Sequence, residues 1–443
     1  MKKIITTLII LAAIFAGIYM SFHLYRKDKT PTVKTAKAKT TEVNWYDDLI
    51  FKNKSFSFEF FRALNYAYSE GADIAECIST GRQIKDGDIN SWYTNWDKIA
   101  TRLYNLGSTW EKQNQLVSTT EAYLRASNYY RTAGFFFRSK NNLDKGIAAA
   151  DKSVNSFLNA TEYMPSIEPI KIPYENTYLP GYFIKTNRKT KAPLLIVTTG
   201  FDGTAEELYF EVGYAALKRG YNCIIFDGPG QGQVISKQKI PFRYDWEKVV
   251  SPVIDYGEKQ RYVDTNKIAI MGISYGGYFA PRAAAFDDRI KACIANGGIL
   301  DFYDFIKPEF PPNFLNLAET NPNKFNSIML EQMKQSPETK WFFDNGMWTF
   351  GTTTPSDLIL KLKKYSLKDV VQNITCSMLV IKSEKDHFNL DQPKKLYDAL
   401  KTNNKTFLEF TTEQAADAHC QMGAIAFSNE KIFNWLDKTL DFK

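Results

Sequence analysis

The chain has 443 residues, of which 44% are hydrophobic and 24% charged, a composition that argues against a disordered or collagenous protein and allows one large core or two moderate ones. Its net charge is +7, and residues 1–40 alone hold eight Lys and Arg against one acid, so the remainder is neutral and lacks the basic balance expected of a nucleic-acid-binding fold. The five cysteines are scattered, odd in number and never in a CxxC spacing, which argues against both a disulfide framework and a zinc site.

In chain order, Lys2 and Lys3 precede an apolar stretch from Ile4 to Tyr25, closed by the basic run "RKDKTPTVKTAKAKT". The stretch is about 22 residues, enough to span a bilayer and long for a secretory signal core. Residues 1–40 therefore read as a single N-terminal membrane anchor with a basic flank, with a cleaved signal or a buried helix as the alternatives. The positive charge after the stretch favours a cytoplasmic body, whereas Lys2-Lys3 resembles an export signal, so the side of the membrane stays open and an exported form is included.

From about Asp47 to Met164 apolar residues recur at helical spacing, as in "WYTNWDKIATRLYNLGSTW", and strand-like alternation is absent; this predicts a helical cap domain over residues 41–165. Its many aromatics, Trp92, Trp96, Trp110, Tyr123, Tyr129, Tyr130 and Phe135 to Phe137, read first as helix–helix core and second as a wall facing a ligand. After Pro165 short β-branched runs alternate with glycine turns and amphipathic helices, the pattern of an α/β domain over residues 166–443. Strands are expected near 169–174, 178–186, 193–199, 221–227, 267–273, 290–296, 377–383 and 405–411. The first two lie too close for a crossover helix and should pair antiparallel, the later ones parallel. Residues 300–370 form a connection too long for a plain crossover, and a lid-like insertion with its own structure is expected there.

The stretch "IAIMGISYGGYFAPRAAA" places Ser274 between a predicted strand and a helix, flanked by Gly272 and Gly276. Small neighbours allow the strained turn of a nucleophile elbow, and the helix amino end favours negative charge at the hydroxyl. A serine needs a base, and the chain has three histidines. His23 lies in the apolar N-terminal stretch, and His387 follows Asp386 and should point away from what Asp386 contacts. His419 follows the last strand by a short loop, at the same sheet edge as Ser274, and is the expected base. The orienting acid should leave the preceding strand end: Asp386 in "SMLVIKSEKDHF" is favoured over Glu384, and Asp417 is too near His419 in sequence to reach behind it. Cys420, beside His419, reads as an inert packing residue. Oxyanion donors are expected from the N–H groups of Tyr275 and of Phe201 in "TTGFDGTAEE". The glycine-dense "FDGPGQGQ" lacks the lysine of a phosphate loop and reads as a packing turn under the site.

Together "TTGFDGTAEELYF", "FDGPGQGQ", "DWEKVVSPVIDY", "GISYGGYFAPRAAA", "NGMWTFG", "MLVIKSEKDHF" and "AHCQMG", with the helical stretch "GADIAECISTGRQIKDGDINSWYTNWDKIA", resemble one branch of the α/β-hydrolase superfamily. That branch holds dihydropseudooxynicotine hydrolase, the fungal polyketide-shortening hydrolases and FrsA-like proteins. The resemblance covers about residues 45–443 and implies an α/β-hydrolase fold with a mostly parallel eight-stranded sheet. By position it makes Ser274 the nucleophile, Asp386 the acid and His419 the base. It implies an acyl-enzyme route to ester hydrolysis or to cleavage of a carbon–carbon bond beside a ketone, in a site between the helical and hydrolase domains. A carboxylate assisting carbon–carbon cleavage has Asp301 and Asp304 as its nearest counterparts, which otherwise read as helix caps.

The sequence thus predicts a membrane-tethered serine hydrolase acting on a small-molecule carbonyl compound without metal or cofactor. Its other expected partners are the membrane and, at most, a second copy of itself in a homo-oligomer, with no nucleic acid. A prolyl-oligopeptidase-like peptidase shares the triad order, although a helical first segment does not supply that group's β-propeller. A non-catalytic binding protein of hydrolase fold is the remaining alternative.

Overall fold

The computed structural model describes residues 46–388 and 391–442. The expected anchor, residues 4–25 with its basic flank, lies outside the described residues; among the described ones no helix is long and apolar enough to cross a membrane.

Among the described residues five helices come first: α1 (Lys54–Asn65), α2 (Ile74–Gly81), α3 (Ile89–Lys112), α4 (Leu116–Gly134) and α5 (Leu143–Thr161). The side chains of Asn53, Asp73 and Asp88 accept backbone N–H groups two or three residues on, which satisfies donors that the first helical turn leaves free. Along α3 the buried residues Trp92, Trp96, Ala100, Leu103 and Gly107 recur every three or four positions, so one stripe faces the core. Most of the dense aromatics of this region are core: Trp92, Trp96 and Tyr129 pack together, with Trp92–Trp96 ring centroids 5.8 Å apart. The helix α4 runs between α3 and α5 and is buried over most of its circumference.

Eight strands follow: β1 (Ile167–Tyr174), β2 (Thr177–Ile184), β3 (Ala192–Thr198), β4 (Asn222–Phe226), β5 (Val263–Ile273), β6 (Ile290–Asn296), β7 (Ser377–Ser383) and β8 (Lys405–Phe410). They form one sheet in the order β1-β2-β4-β3-β5-β6-β7-β8. The two-residue turn between β1 and β2 forces an antiparallel hairpin, and β2 also pairs antiparallel with β4; from β4 to β8 every pairing is parallel. All residues of β3 and β4 are buried, as continuous apolar runs in a sheet covered on both faces require. One face packs against α6 (Glu247–Glu258) and α7 (Gly276–Ala284), the other against α12 (Ile425–Thr439) and the broken helix between Ala205 and Lys218. This is the α/β-hydrolase sheet expected from the sequence.

Residues 297–376, between β6 and β7, carry three substantial helices, α8 (Pro322–Gln335), α9 (Pro337–Phe350) and α10 (Pro355–Leu362). Each opens with a proline, whose missing N–H costs nothing at a first turn, and is preceded by Asn321, Ser336 or Thr354 as a side-chain cap. The last helix before β8 is α11 (Gln392–Ala399).

A buried ionic cluster ties α1 and α4 to the loop that follows β3. Arg62 on α1 grips Glu207 with two bonds of 2.8 Å and Asp202 at 3.2 Å, while Arg131 on α4 pairs with Glu59 at 3.0 Å and Glu207 at 2.9 Å. The Tyr66 hydroxyl donates to Glu207 at 2.6 Å and approaches Glu211 at 3.0 Å. Burial disfavours the Asp202 carboxylate, but Arg62 and Arg131 outweigh it and hold its pKa below the usual value. At Glu211 the balance reverses: burial, then Glu207, outweigh Arg62, Tyr66 and Arg131 and push its pKa up to about 7. Removing one partner from such a cluster strands the other's charge in a medium of low dielectric. Arg131→Met is accordingly expected to lower unfolding free energy by about 3 kcal/mol, measured as a shift in the urea midpoint at unchanged slope.

Candidate active site

Strand β5 ends at Ile273, and the chain turns so sharply into α7 that Ser274 adopts φ 58°, a left-handed conformation that a residue with a side chain rarely takes. The turn depends on glycine: a Cβ on Gly272 would sit 1.8 Å from the carbonyl oxygen of Gly276. The Ser274 N–H donates to the carbonyl of Asn296 at the end of β6 (2.9 Å), and the serine carbonyl accepts from Gly277 (2.8 Å), so both sides of the strained peptide are occupied.

Asp386 and His419 arrive on the loops after β7 and β8. The Ser274 Oγ lies 3.0 Å from His419 Nε2, and His419 Nδ1 lies 2.8 Å from Asp386 Oδ2. Asp386 is 2% exposed, and its other oxygen accepts the Phe388 N–H at 3.0 Å. Burial alone would lower the imidazole's pKa, but the Asp386 carboxylate overrides this and holds it well above 6.5. The carboxylate is likewise disfavoured by burial, yet His419 keeps its pKa below the ordinary range. The three residues proposed from sequence are thus brought into one hydrogen-bonded row. The alternatives are engaged elsewhere. Glu384 accepts from Thr412 N–H at 2.7 Å, and Asp417 accepts from the Thr412 hydroxyl at 2.9 Å. His387 packs edge-on against Phe58 of α1, and its burial pushes the imidazole pKa down to about 4.

The loop after β3 lies against the elbow. A Cβ on Gly200 would come within 2.8 Å of Ser274 Cβ and 3.0 Å of the Tyr275 nitrogen, so glycine is required for this approach. Among the described residues no protein acceptor takes the N–H of Phe201 or of Tyr275. Their rings lie 4.8 Å apart, and Phe201 also meets Trp341 and Phe342 of α9. Phe135, from the end of α4, stacks on Trp341 at 4.8 Å, and so belongs to this aromatic group as well as to the helical core.

Several supporting residues escaped the sequence reading. Gln231, in the glycine-dense turn, is 2% exposed; its Nε2 donates to the carbonyls of Thr199 (2.8 Å) and Gly200 (3.3 Å), while its Oε1 accepts the Gly228 N–H. That turn therefore does more than fill space, since it fixes the peptides leading to Phe201. From the other side Asn345 of α9 donates to the Phe201 carbonyl at 3.1 Å. Gln421 exchanges two amide bonds with Asn296, of 2.9 and 3.0 Å, which ties the His419 turn to the end of β6. A glutamine inside "AHCQMG" or "GPGQGQ" carries no periodic signal by which to recognise it. Cys420 departs from its expected inert packing: its sulfur lies 3.4 Å from His419 Nε2, facing the nitrogen that Ser274 uses.

For Asp301 and Asp304 the structure shows the capping arrangement that the sequence offered as the alternative. Asp301 caps the short helix Phe302–Ile306 by accepting the Asp304 N–H at 2.8 Å, and both carboxylates pair with Lys368, at 3.2 and 2.5 Å. Their charge is neutralised by a helix start and a lysine, which leaves the capping role and gives no support for one in substrate binding. Among the described residues no group of three His, Cys, Asp or Glu could hold a metal ion.

Comparison with known proteins places the chain. Residues 174–412 match the X-Pro dipeptidyl-peptidase (S15) family. The chain is 32% identical to hydrolase acrC of Aspergillus aculeatus, across 88% of this chain and 97% of that protein. It is 33% identical to the 20-hydroxy-prefusarin hydrolase of Gibberella moniliformis, across 89% and 98%. Among solved structures, 2,6-dihydroxy-pseudo-oxynicotine hydrolase shares the fold with a TM-score of 0.68 at 19% identity, covering 85% of this chain and 95% of that one. An eight-stranded sheet with a serine elbow, matched over most of its length by named hydrolases, assigns this chain to the α/β-hydrolases of the S15 family, alongside the fungal hydrolases it resembles.

Proposed function

We propose that the protein is a serine hydrolase of small-molecule carbonyl compounds, either esters or ketones cleaved at an adjacent carbon–carbon bond. The observation that carries this reading is the hydrogen-bonded row from Ser274 Oγ through His419 to Asp386, with the serine held at φ 58°. Ser274 attacks the carbonyl carbon as its proton passes to His419 Nε2, and Asp386 stabilises the imidazolium that forms. The oxyanion receives the N–H groups of Phe201 and Tyr275, which have no protein partners among the described residues. Collapse expels the leaving group, which takes the proton from His419. Water then attacks the acyl-serine with His419 again as base and releases the acid. The likeness to 20-hydroxy-prefusarin hydrolase and to 2,6-dihydroxy-pseudo-oxynicotine hydrolase supports a small-molecule substrate here.

The family description favours a second reading, removal of Xaa-Pro dipeptides from peptides with a free N-terminus. Fluorophosphonate labelling followed by paired assays separates the possibilities. The wild type is expected to be labelled on Ser274 and to hydrolyse short-chain p-nitrophenyl esters faster than Xaa-Pro p-nitroanilides, and Ser274→Ala should lose both label and turnover. A wild type that takes no label leaves a non-catalytic protein of this fold, and faster anilide turnover leaves the peptidase.

The electrostatics of His419 set a pH profile. The imidazole must be neutral to accept the serine proton, so kcat/KM should fall on acidification with a midpoint above the ordinary histidine value of about 6.5. Asp386→Asn removes the opposing charge while burial remains, so the midpoint should move below that value, with kcat lower by about 10⁴; a pH–rate series on both proteins measures the sign. For Ile4 to Tyr25 we propose a membrane tether. Full-length protein should stay with the membrane pellet after alkaline carbonate washing, and recovery in the supernatant would remove the tether.

A further inference from the structure

A cavity that includes Phe201 in its lining is walled by the end of α4, by α5 between Gly146 and Val154, by the glycine-dense turn and by α9. It offers about 40 Å³, room for a small polar group though not a whole substrate, given that one water needs about 10–15 Å³. The charged side chains lining it are paired, with one exception. Asp202 is held by Arg62, Arg131 by Glu59 and Glu207, Asp151 by Lys237, and Glu206 accepts the Tyr182 hydroxyl at 2.8 Å. Arg138 is the exception: among the described residues its guanidinium has no hydrogen bond or ion pair, and its Nε is buried without a partner. Its guanidinium carbon instead lies 5.3 Å from the centre of the Trp348 ring, within cation–π range. Burial pulls its pKa down to about 10 against the opposing attraction of Asp202, so it remains charged at neutral pH without a carboxylate in ion-pair contact. Asn345 lies in the same wall, fully buried. Its Nδ2 is committed to the Phe201 carbonyl, and its Oδ1 has no partner.

An orphaned guanidinium donor and an orphaned amide acceptor in one cavity, next to the loop that carries the expected oxyanion donor, constitute a recognition pair awaiting a ligand. We propose that Arg138 and Asn345 form a subsite for a carboxylate carried by the substrate, the guanidinium taking the anionic oxygens and Asn345 accepting from a hydroxyl or water beside them. The enzyme would then select carbonyl compounds that also bear an acid group. This rests on the hydrolase reading of Ser274, because the cavity adjoins the elbow through Phe201, which lines the one and packs on Tyr275 of the other.

The test compares the p-nitrophenyl monoester of adipic acid with the neutral p-nitrophenyl hexanoate, on wild type, Arg138→Gln and Arg138→Lys. The wild type should prefer the acid ester. Arg138→Gln should reduce the ratio of kcat/KM values (acid over neutral) by about tenfold or more, the worth of one charged hydrogen bond, mainly through KM. Arg138→Lys should restore part of it and guards against misfolding of the glutamine variant. Equal ratios in wild type and both variants would overturn the subsite while leaving the hydrolase intact. If neither ester turns over and fluorophosphonate fails to label, the hydrolase reading has failed, and adipate binding to Ser274→Ala then decides the subsite by itself. A rise in melting temperature with adipate that Arg138→Gln abolishes supports it, and no rise refutes it.

Discussion

Ser274 and His419 meet because of Asn296. The end of β6 lies between the two loops, and Asn296 serves both: its backbone carbonyl takes the Ser274 N–H, and its side-chain amide pairs with Gln421, two residues after His419. Gln421 in turn bonds to Ser383 at the end of β7 (3.0 Å) and accepts from Ser428 on α12 (2.8 Å). The amide pair is buried, so both partners would lose bonds on separation without water to replace them, and the geometry of the row is correspondingly stiff. A triad built on loops is only as well placed as the strand ends that carry it; here one asparagine registers two of the three loops, and the third leaves β7 beside Ser383.

The loop carrying Phe201 is held differently, by groups from three parts of the chain. Gln231 fixes its carbonyls from beneath, Asn345 reaches it from the insertion, and Arg62 holds Asp202 from the first helix. The helical layer and the insertion are therefore structural components of the site as well as covers over the sheet. This also rationalises why a cluster as costly to desolvate as Glu59, Arg62, Arg131, Asp202 and Glu207 sits at this junction. Hydrophobic contact would bind the layers as strongly, but it would not set the height of a particular loop above a particular serine.

Much of this was legible beforehand because it depends on strong local signals. The eight strands fall within a few residues of their predicted limits, since β-branched runs bounded by glycine turns have few other conformations available, and the elbow needs glycine where Gly272 and Gly276 stand. Three histidines and a short roster of carboxylates left little choice for the row. What was not legible is the work of polar residues without periodicity. Gln231, Asn345 and Gln421 act through amide bonds to residues far away in sequence, and Arg62 and Arg131 look, on a helix read alone, like ordinary solvated positions. Asp301 and Asp304 show the opposite failure: carboxylates just past a strand end invite a catalytic reading, yet a helix start and Lys368 account for both.

The proton on His419 is where the remaining chemistry is decided. Its Nε2 faces two side chains, Ser274 Oγ at 3.0 Å and Cys420 Sγ at 3.4 Å. Only the serine is placed at the end of β5 against the Phe201 loop, so on the proposed mechanism only attack by the serine puts the oxyanion near the N–H groups of Phe201 and Tyr275. On the proposed mechanism the thiol lies beside the nitrogen from which His419 would return its proton to the leaving group. An alkoxide or amine takes that proton directly on its heteroatom; a carbanion must first be delocalised as an enolate, whose carbon is protonated at a different distance from the imidazole. On the proposed mechanism the row of three side chains serves each case equally, and the choice of bond passes to the groups that fix where the substrate lies along Phe201, namely α9, the end of α4 and the charge on Arg138.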